Sequence, residues 1–154
     1  ILYLFAVLSL SCSFLWAQDQ IESFTLPDQH NIKHLIQFPC KKTKILIIAD
    51  RAAGDQARRW GYSLGGKLGD SVDYIPIAAM GGVPDFLKGI AKSFIHEPRP
   101  ILVDWDNIVS KKLGFVDNQC LILFIDSKGQ CLVRSSGEVT PEKLNNVISF
   151  NKEK

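Results

Sequence analysis

Residues 44–60, KILIIADRAAGDQARRW, set a short continuous apolar run directly before an amphipathic one. Lys44 to Asp50 reads as a strand buried on both faces, because no polar residue interrupts Ile45–Ala49. Beyond it, Ala57, Trp60, Gly61, Leu64 and Leu68 recur at helical spacing. The junction ADRAAGDQ, residues 49–56, is therefore a strand-to-helix turn, where α/β proteins commonly hold their ligands. Two alanines occupy its centre. Asp55 stands where a helix N-cap is expected, its carboxylate taking first-turn N–H groups, and the helix is expected to end at Gly65-Gly66 or Gly69.

Working outward, ESFTLPDQHNIKHLIQF (22–38) has short apolar stretches broken at Pro27-Asp28 and His30-Asn31, an opening strand or hairpin. VDYIPIAAM (72–80) is a second central strand. After Gly81-Gly82, Pro84-Asp85 starts a helix expected to bury Val83, Phe86, Leu87, Ile90, Ala91, Phe94 and Ile95 on one face, stopped by His96-Glu97-Pro98. RPILVDWD (99–106) is a further strand, followed by a helical turn from Ile108 to Leu113 that Gly114 ends. Strands 120–126 and 130–135 flank Ser127-Lys128-Gly129, a hairpin whose glycine supplies a positive φ. Thr140-Pro141-Glu142 caps a last helix with Leu144, Val147 and Ile148 inward. The order β-α-β-α-β-(α)-β-β-α predicts an α/β fold with a mixed central sheet and helices on both faces. Strands separated by helices are expected to run parallel, and the final hairpin antiparallel.

The 154 residues support one domain with one core. A net charge of +2 and scattered basic residues, densest at Lys41, Lys42 and Lys44, give no steering toward nucleic acid or an anionic membrane. Residues 1–16 carry no charge, and polarity begins abruptly at Gln18. That run is short for a membrane span and fits the apolar core of a secretory signal cut after Ala17. Two other readings stay open: lipid attachment at Cys12 after Ser9-Leu10-Ser11, and a retained signal anchor. With residues 1–17 removed, Cys40, Cys120 and Cys131 remain, an odd set with no CxxC and no metal-ligand spacing. They read as small hydrophobes rather than a disulfide framework. Trp60 and Trp105 are expected in or near the core.

The order of elements, with its terminal hairpin and closing helix, resembles the thioredoxin-like fold in its exported redoxin form, a three-layer sandwich. FTLPDQHN (24–31) is similar to the F-x-L-x-D-x-x-G start of redoxin domains, with Asn31 in place of glycine. PILVDWDNIVSKKLGF (100–115) and LILFIDSKGQ (121–130) resemble their later strand–helix segment and hairpin. The resemblance covers residues 22–150, within a domain expected to span 18–154, and extends to members lacking the redox motif, such as the YtfJ-like proteins. It aligns the W-C-x-x-C of active members with Arg51-Ala52-Ala53-Gly54-Asp55, so Ala52 takes the place of the attacking cysteine and Asp55 that of the resolving one. It aligns their cis-proline with Cys120. Disulfide exchange needs a thiolate at this helix start and a second thiol, and neither position supplies one.

The expectation is thus an exported, periplasmic or secreted domain without dithiol chemistry that binds protein. It uses no cofactor, binds no nucleic acid and keeps no membrane span after cleavage. The alternative is a single-cysteine thiol–disulfide or peroxide-responsive protein acting through Cys120. No residue is assigned a catalytic role, and an enzymatic activity is left open. Other sites are weaker. The helix start with Arg51, Arg58 and Arg59 offers an anion site, opposed by Asp55. Asp104 and Asp106, with Asp50, are candidate ligands for a hard cation, although Asp106 reads better as the cap of the next helix. His30 and His34 lie in a non-helical segment and His96 at a helix end. Gly65-Gly66 and Gly81-Gly82 have no phosphate-loop spacing.

Overall fold

A computed structural model of the chain describes residues 19–151. The expected signal segment, with Ala17 and Cys12, lies outside the described residues. Two strands, β1 (Phe24–Pro27) and β2 (Lys33–Ile36), form the opening hairpin. The main sheet has five strands: β3 (Lys44–Ala49), β4 (Asp73–Ala79), β5 (Leu102–Asp104), β6 (Leu121–Ile125) and β7 (Cys131–Ser136). Their spatial order is β5-β4-β3-β6-β7, with β3 at the centre. The helices are α1 (Gly54–Leu68), α2 (Lys88–Ser93), α3 (Ile108–Lys112) and α4 (Pro141–Ser149).

Alternation along β3 feeds two cores at once. Ile45, Ile47 and Ala49 pack with Trp60 and Leu64 of α1 and Val147 of α4. Leu46 and Ile48 face the opposite way, against Leu26 and Ile36 of the opening hairpin and Leu113 and Phe115 after α3. The sheet is therefore the middle layer of a three-layer α/β sandwich with the mixed strand directions expected. Removing Leu64 from water alone contributes roughly 1.5–3 kcal/mol. Trp60 is also fully buried, and its Nε1–H donates to the Gly137 carbonyl at 2.9 Å. Trp105 is half-buried, with the Lys88 Nζ 5.5 Å from its ring centroid.

Two expectations need correction. β3, β4 and β5 are parallel, but β6 runs antiparallel to β3 although α3 separates it from β5. One short helix and its loops turn the chain round at the end of the sheet instead of carrying it back along the sheet, as a parallel crossover must. Second, the segment after Pro84 is a 3₁₀ turn (Asp85–Leu87) leading into α2, and its apolar face is not buried. Phe86, Ile90 and Phe94 are 82%, 56% and 71% exposed. Helix α1 runs through Gly65 and Gly66 to a C-cap at Gly69, the later of the two expected ends.

The opening hairpin is held by a buried carboxylate. Asp28, the acid of the FTLPDQHN pattern, is 2% exposed. Its Oδ1 accepts from the N–H groups of His30 and Ile32, and its Oδ2 lies 2.8 Å from His34 Nε2. Asn31, which replaces the usual glycine, sits at φ 65°, a left-handed conformation that asparagine tolerates better than other side chains. The neighbouring Gln29 accepts from Ile101 N–H and donates to the carbonyls of Glu97 and Arg99, tying the hairpin to the chain before β5.

Burial alone would raise the Asp28 carboxyl, but hydrogen bonds from His34, Ile32 and His30 outweigh it and hold it below the ordinary value. A depressed folded-state pKa stabilises above the unfolded value, near pH 4, and that stabilisation is lost as pH falls through the folded one. Urea denaturation of the wild type and Asp28→Asn should therefore show a stability gap at pH 6 that narrows below about pH 4. A gap independent of pH would contradict the assignment.

The β6–β7 turn makes a second test. Gly129 has φ +93°, and a Cβ there would stand 2.6 Å from Gln20 Nε2 and 3.0 Å from Phe38 Cβ. Gly129→Ala is expected to destabilise the protein by about 1–3 kcal/mol. Gly66→Ala, in open space inside α1, should stabilise it by roughly 0.5–1 kcal/mol. Urea midpoints should thus move in opposite directions.

Candidate functional site

The turn after β3 is built by side chains that accept and donate across it. Asp50, the first residue past the strand, places Oδ1 on the Ala53 N–H (2.9 Å) and Oδ2 on the Asn118 N–H (2.7 Å). Gln56, in the first turn of α1, accepts from the Cys120 N–H at 2.9 Å and donates to the Asn118 carbonyl at 3.4 Å. Ala53 and Cys120 are fully buried in the same core cluster. The start of α1 and the loop leading into β6 are thus brought together, as the resemblance implied.

The individual residues fall as follows. Arg51 and Ala52 are exposed at the crest of the turn. Asp55 is not the N-cap. Helix α1 begins at Gly54 with Ala53 in the cap position, so Asp55 already lies in the first turn, and its exposed carboxylate pairs with Arg58 at 2.7 Å. The interaction expected of Asp55 is made in part by Asp50, whose carboxylate reaches the Ala53 N–H. Arg59, the third arginine of the anion-site reading, is engaged by both carboxylate oxygens of Glu138.

Cys120 directly precedes β6, and the peptide before it is trans; the cis bond among the described residues joins Phe38 to Pro39. Its thiol pKa is pushed up to about 12, first by burial and then by the nearby Glu138 carboxylate. At neutral pH the thiolate fraction is then on the order of 10⁻⁵, so Cys120 is a poor nucleophile in this conformation. Cys40 and Cys131 are also free thiols. Burial likewise raises the Cys131 thiol, and Cys131 belongs to the core on the other face of the sheet from Cys120.

An open polar cleft of about 490 Å³ adjoins the turn, lined in part by Asp50, Gly81, Asp106, Lys111, Asp117 and Asn118. Of the three candidate cation ligands, Asp50 and Asp106 line it and Asp104 does not. Asp104 is buried, and its Oδ2 accepts the Ser110 N–H at 2.7 Å, so it serves the start of α3. The cap role expected of Asp106 is thereby displaced: Asn107, at φ 53°, holds the N-cap position, and its Oδ1 accepts the Gly81 N–H. Among the described residues no group of three or more His, Cys, Asp or Glu side chains is placed to hold a metal ion. His34 is engaged with Asp28 as above. The cross-turn roles of Gln56 and Asn118 had no sequence signal beyond their place near strand ends.

This architecture defines a thioredoxin-like fold, and the solved structures it matches agree. The exposed lipoprotein thioredoxin of Streptococcus pneumoniae superimposes with a TM-score of 0.63 at 14% identity, covering 83% of this chain and 98% of that one. A DsbF homologue from Corynebacterium diphtheriae gives 0.63 at 16% identity and 87% of each chain. The peroxidoxin BcpB of Mycobacterium tuberculosis gives 0.60 at 14%, over 88% and 97%. No family model and no curated protein matches the sequence. The chain thus shares the fold of thiol–disulfide oxidoreductases and peroxiredoxins, while its own turn reads Arg51-Ala52-Ala53-Gly54-Asp55. Among the described residues no helix is long and apolar enough to cross a membrane.

Thiol labelling checks the cysteine geometry. With an aromatic disulfide reagent at pH 7.5, half-buried Cys40 should react in the native protein, and Cys120 and Cys131 only after urea is added. Native labelling that disappears in Cys120→Ala would show that the thiol opens to solvent.

Proposed function

We propose that residues 18–154 form an exported thioredoxin-like domain that works by binding protein and not by dithiol exchange. One observation carries the reading: the turn after β3 is closed by cross-loop hydrogen bonds and holds no cysteine, and the redoxin resemblance sets Ala52 and Asp55 against the two cysteine positions. A scaffold kept at the place of chemistry, without the nucleophile, still presents a shaped surface to a polypeptide. Arg51 and Ala52 at its crest are free to meet one. Export to the periplasm or exterior follows from the apolar residues 1–16 and the cut after Ala17, and an affinity with YtfJ-like proteins belongs to the same reading. The deep burial of Cys120 supports it over the single-cysteine alternative.

Turbidity of insulin under dithiothreitol tests the chemistry. The wild type should not accelerate precipitation, whereas Ala52→Cys combined with Asp55→Cys should introduce measurable exchange, because the helix start favours a thiolate. Wild-type acceleration, or a mixed disulfide with glutathione lost in Cys120→Ala, would overturn the proposal. For the binding role, a complex isolated with the exported domain should weaken at least tenfold in Arg51→Glu. A complex indifferent to that change would move binding away from the turn.

A further inference from the structure

Helix α2 is amphipathic in the reverse of the usual sense. Its lysines turn toward the protein: Lys88 lies over Trp105 and pairs with the exposed Asp85 of the same segment at 2.6 Å, and Lys92 donates to Asn31 Oδ1 at 2.9 Å. Its apolar side faces out. Phe86 of the preceding 3₁₀ turn, Ile90 of α2 and Phe94 at its C-cap follow at four-residue intervals, 82%, 56% and 71% exposed, with Leu87 beside them at 37%. With aromatic side chains at about 150–250 Å² each, the stripe leaves roughly 400 Å² of apolar surface in water.

The stripe is also close to a palindrome about Ile90. Phe86 and Phe94 stand four residues either side, Lys88 and Lys92 two, and the small Gly89 and Ala91 one. A two-fold axis through Ile90 therefore sets each phenylalanine against the opposite phenylalanine of a second copy, with Leu87 and Ser93 beside the crossing point. Lys88 and Lys92 are half-buried, and the exposed Asp85 beside Phe86 falls at opposite ends of an antiparallel contact, so apposition brings no like charges together. An anionic lipid surface would need those cations at the rim of the stripe, and they are engaged elsewhere. Two stripes bury roughly 800 Å², and the surrounding rim brings the pair to the lower limit of a specific interface, about 1,000–1,200 Å².

We propose that the exposed face of α2 is the contact of an antiparallel, two-fold homodimer of this chain. Sedimentation velocity of the full chain across 1–200 μM should show a monomer–dimer transition that Ile90→Asp abolishes and Phe94→Ser weakens at least tenfold, with the melting temperature unchanged. Mild oxidation of Ile90→Cys should give a disulfide-linked dimer, and Tyr62→Cys, exposed on α1, should not. A monomer throughout, or association insensitive to Ile90→Asp, would overturn the proposal. So would binding of a monomeric chain to phosphatidylglycerol vesicles that Phe94→Ser abolishes, which assigns the face to a bilayer.

Discussion

Everything else in this protein hangs on β3 being buried on both faces. A strand in that position has no solvent to satisfy its backbone, so its N–H and C=O groups must be taken up by neighbours on both edges. β4 supplies one edge in parallel and β6 the other in antiparallel register. Its side chains, alternating Ile45-Ile47-Ala49 and Leu46-Ile48, then demand an apolar layer above and another below. α1 and α4 make one layer. The opening hairpin and α3 make the other, which is why the Asp28 cluster that closes the hairpin matters so far from the turn.

The same constraint delivers the site. Where β3 stops, its last carbonyls and the first N–H groups of α1 leave the apolar interior together, and a polar side chain must meet them. Asp50 does so for the helix and for the 118 loop at once, and Gln56 completes the bridge to Cys120. The turn therefore keeps its form without a cysteine. Shape here depends on main-chain hydrogen bonding, chemistry on one side chain, and the two are separable. That separation explains how the chain can share the fold of disulfide oxidoreductases while its own turn carries Ala52-Ala53-Gly54-Asp55.

Local patterns were legible wherever the backbone had a local reason to obey. The Thr140 cap, whose Oγ1 accepts the Lys143 N–H, and the positive φ of Gly129 depend on a few neighbouring residues. The α2 segment was misjudged because its periodicity is sound but its direction is not: an apolar stripe says that a helix has two faces, not which one meets the body. Asp55 and Asp106 were misassigned for a related reason. A carboxylate near a helix start is within reach of free N–H groups, and another acid earlier in the chain was better placed in each case, Asp50 for α1 and Asp104 for α3.

Sequence by itself determined the sequence of strands and helices, the doubly buried centre and the absence of a thiol at positions 52 and 55. Each follows from residue type and spacing along a continuous stretch. Only the tertiary structure decided the antiparallel return of β6, the full burial of Cys120 and the outward face of α2. Those depend on which distant segments come to lie against one another. A residue's environment is set by such contacts, and one-dimensional spacing carries no information on them.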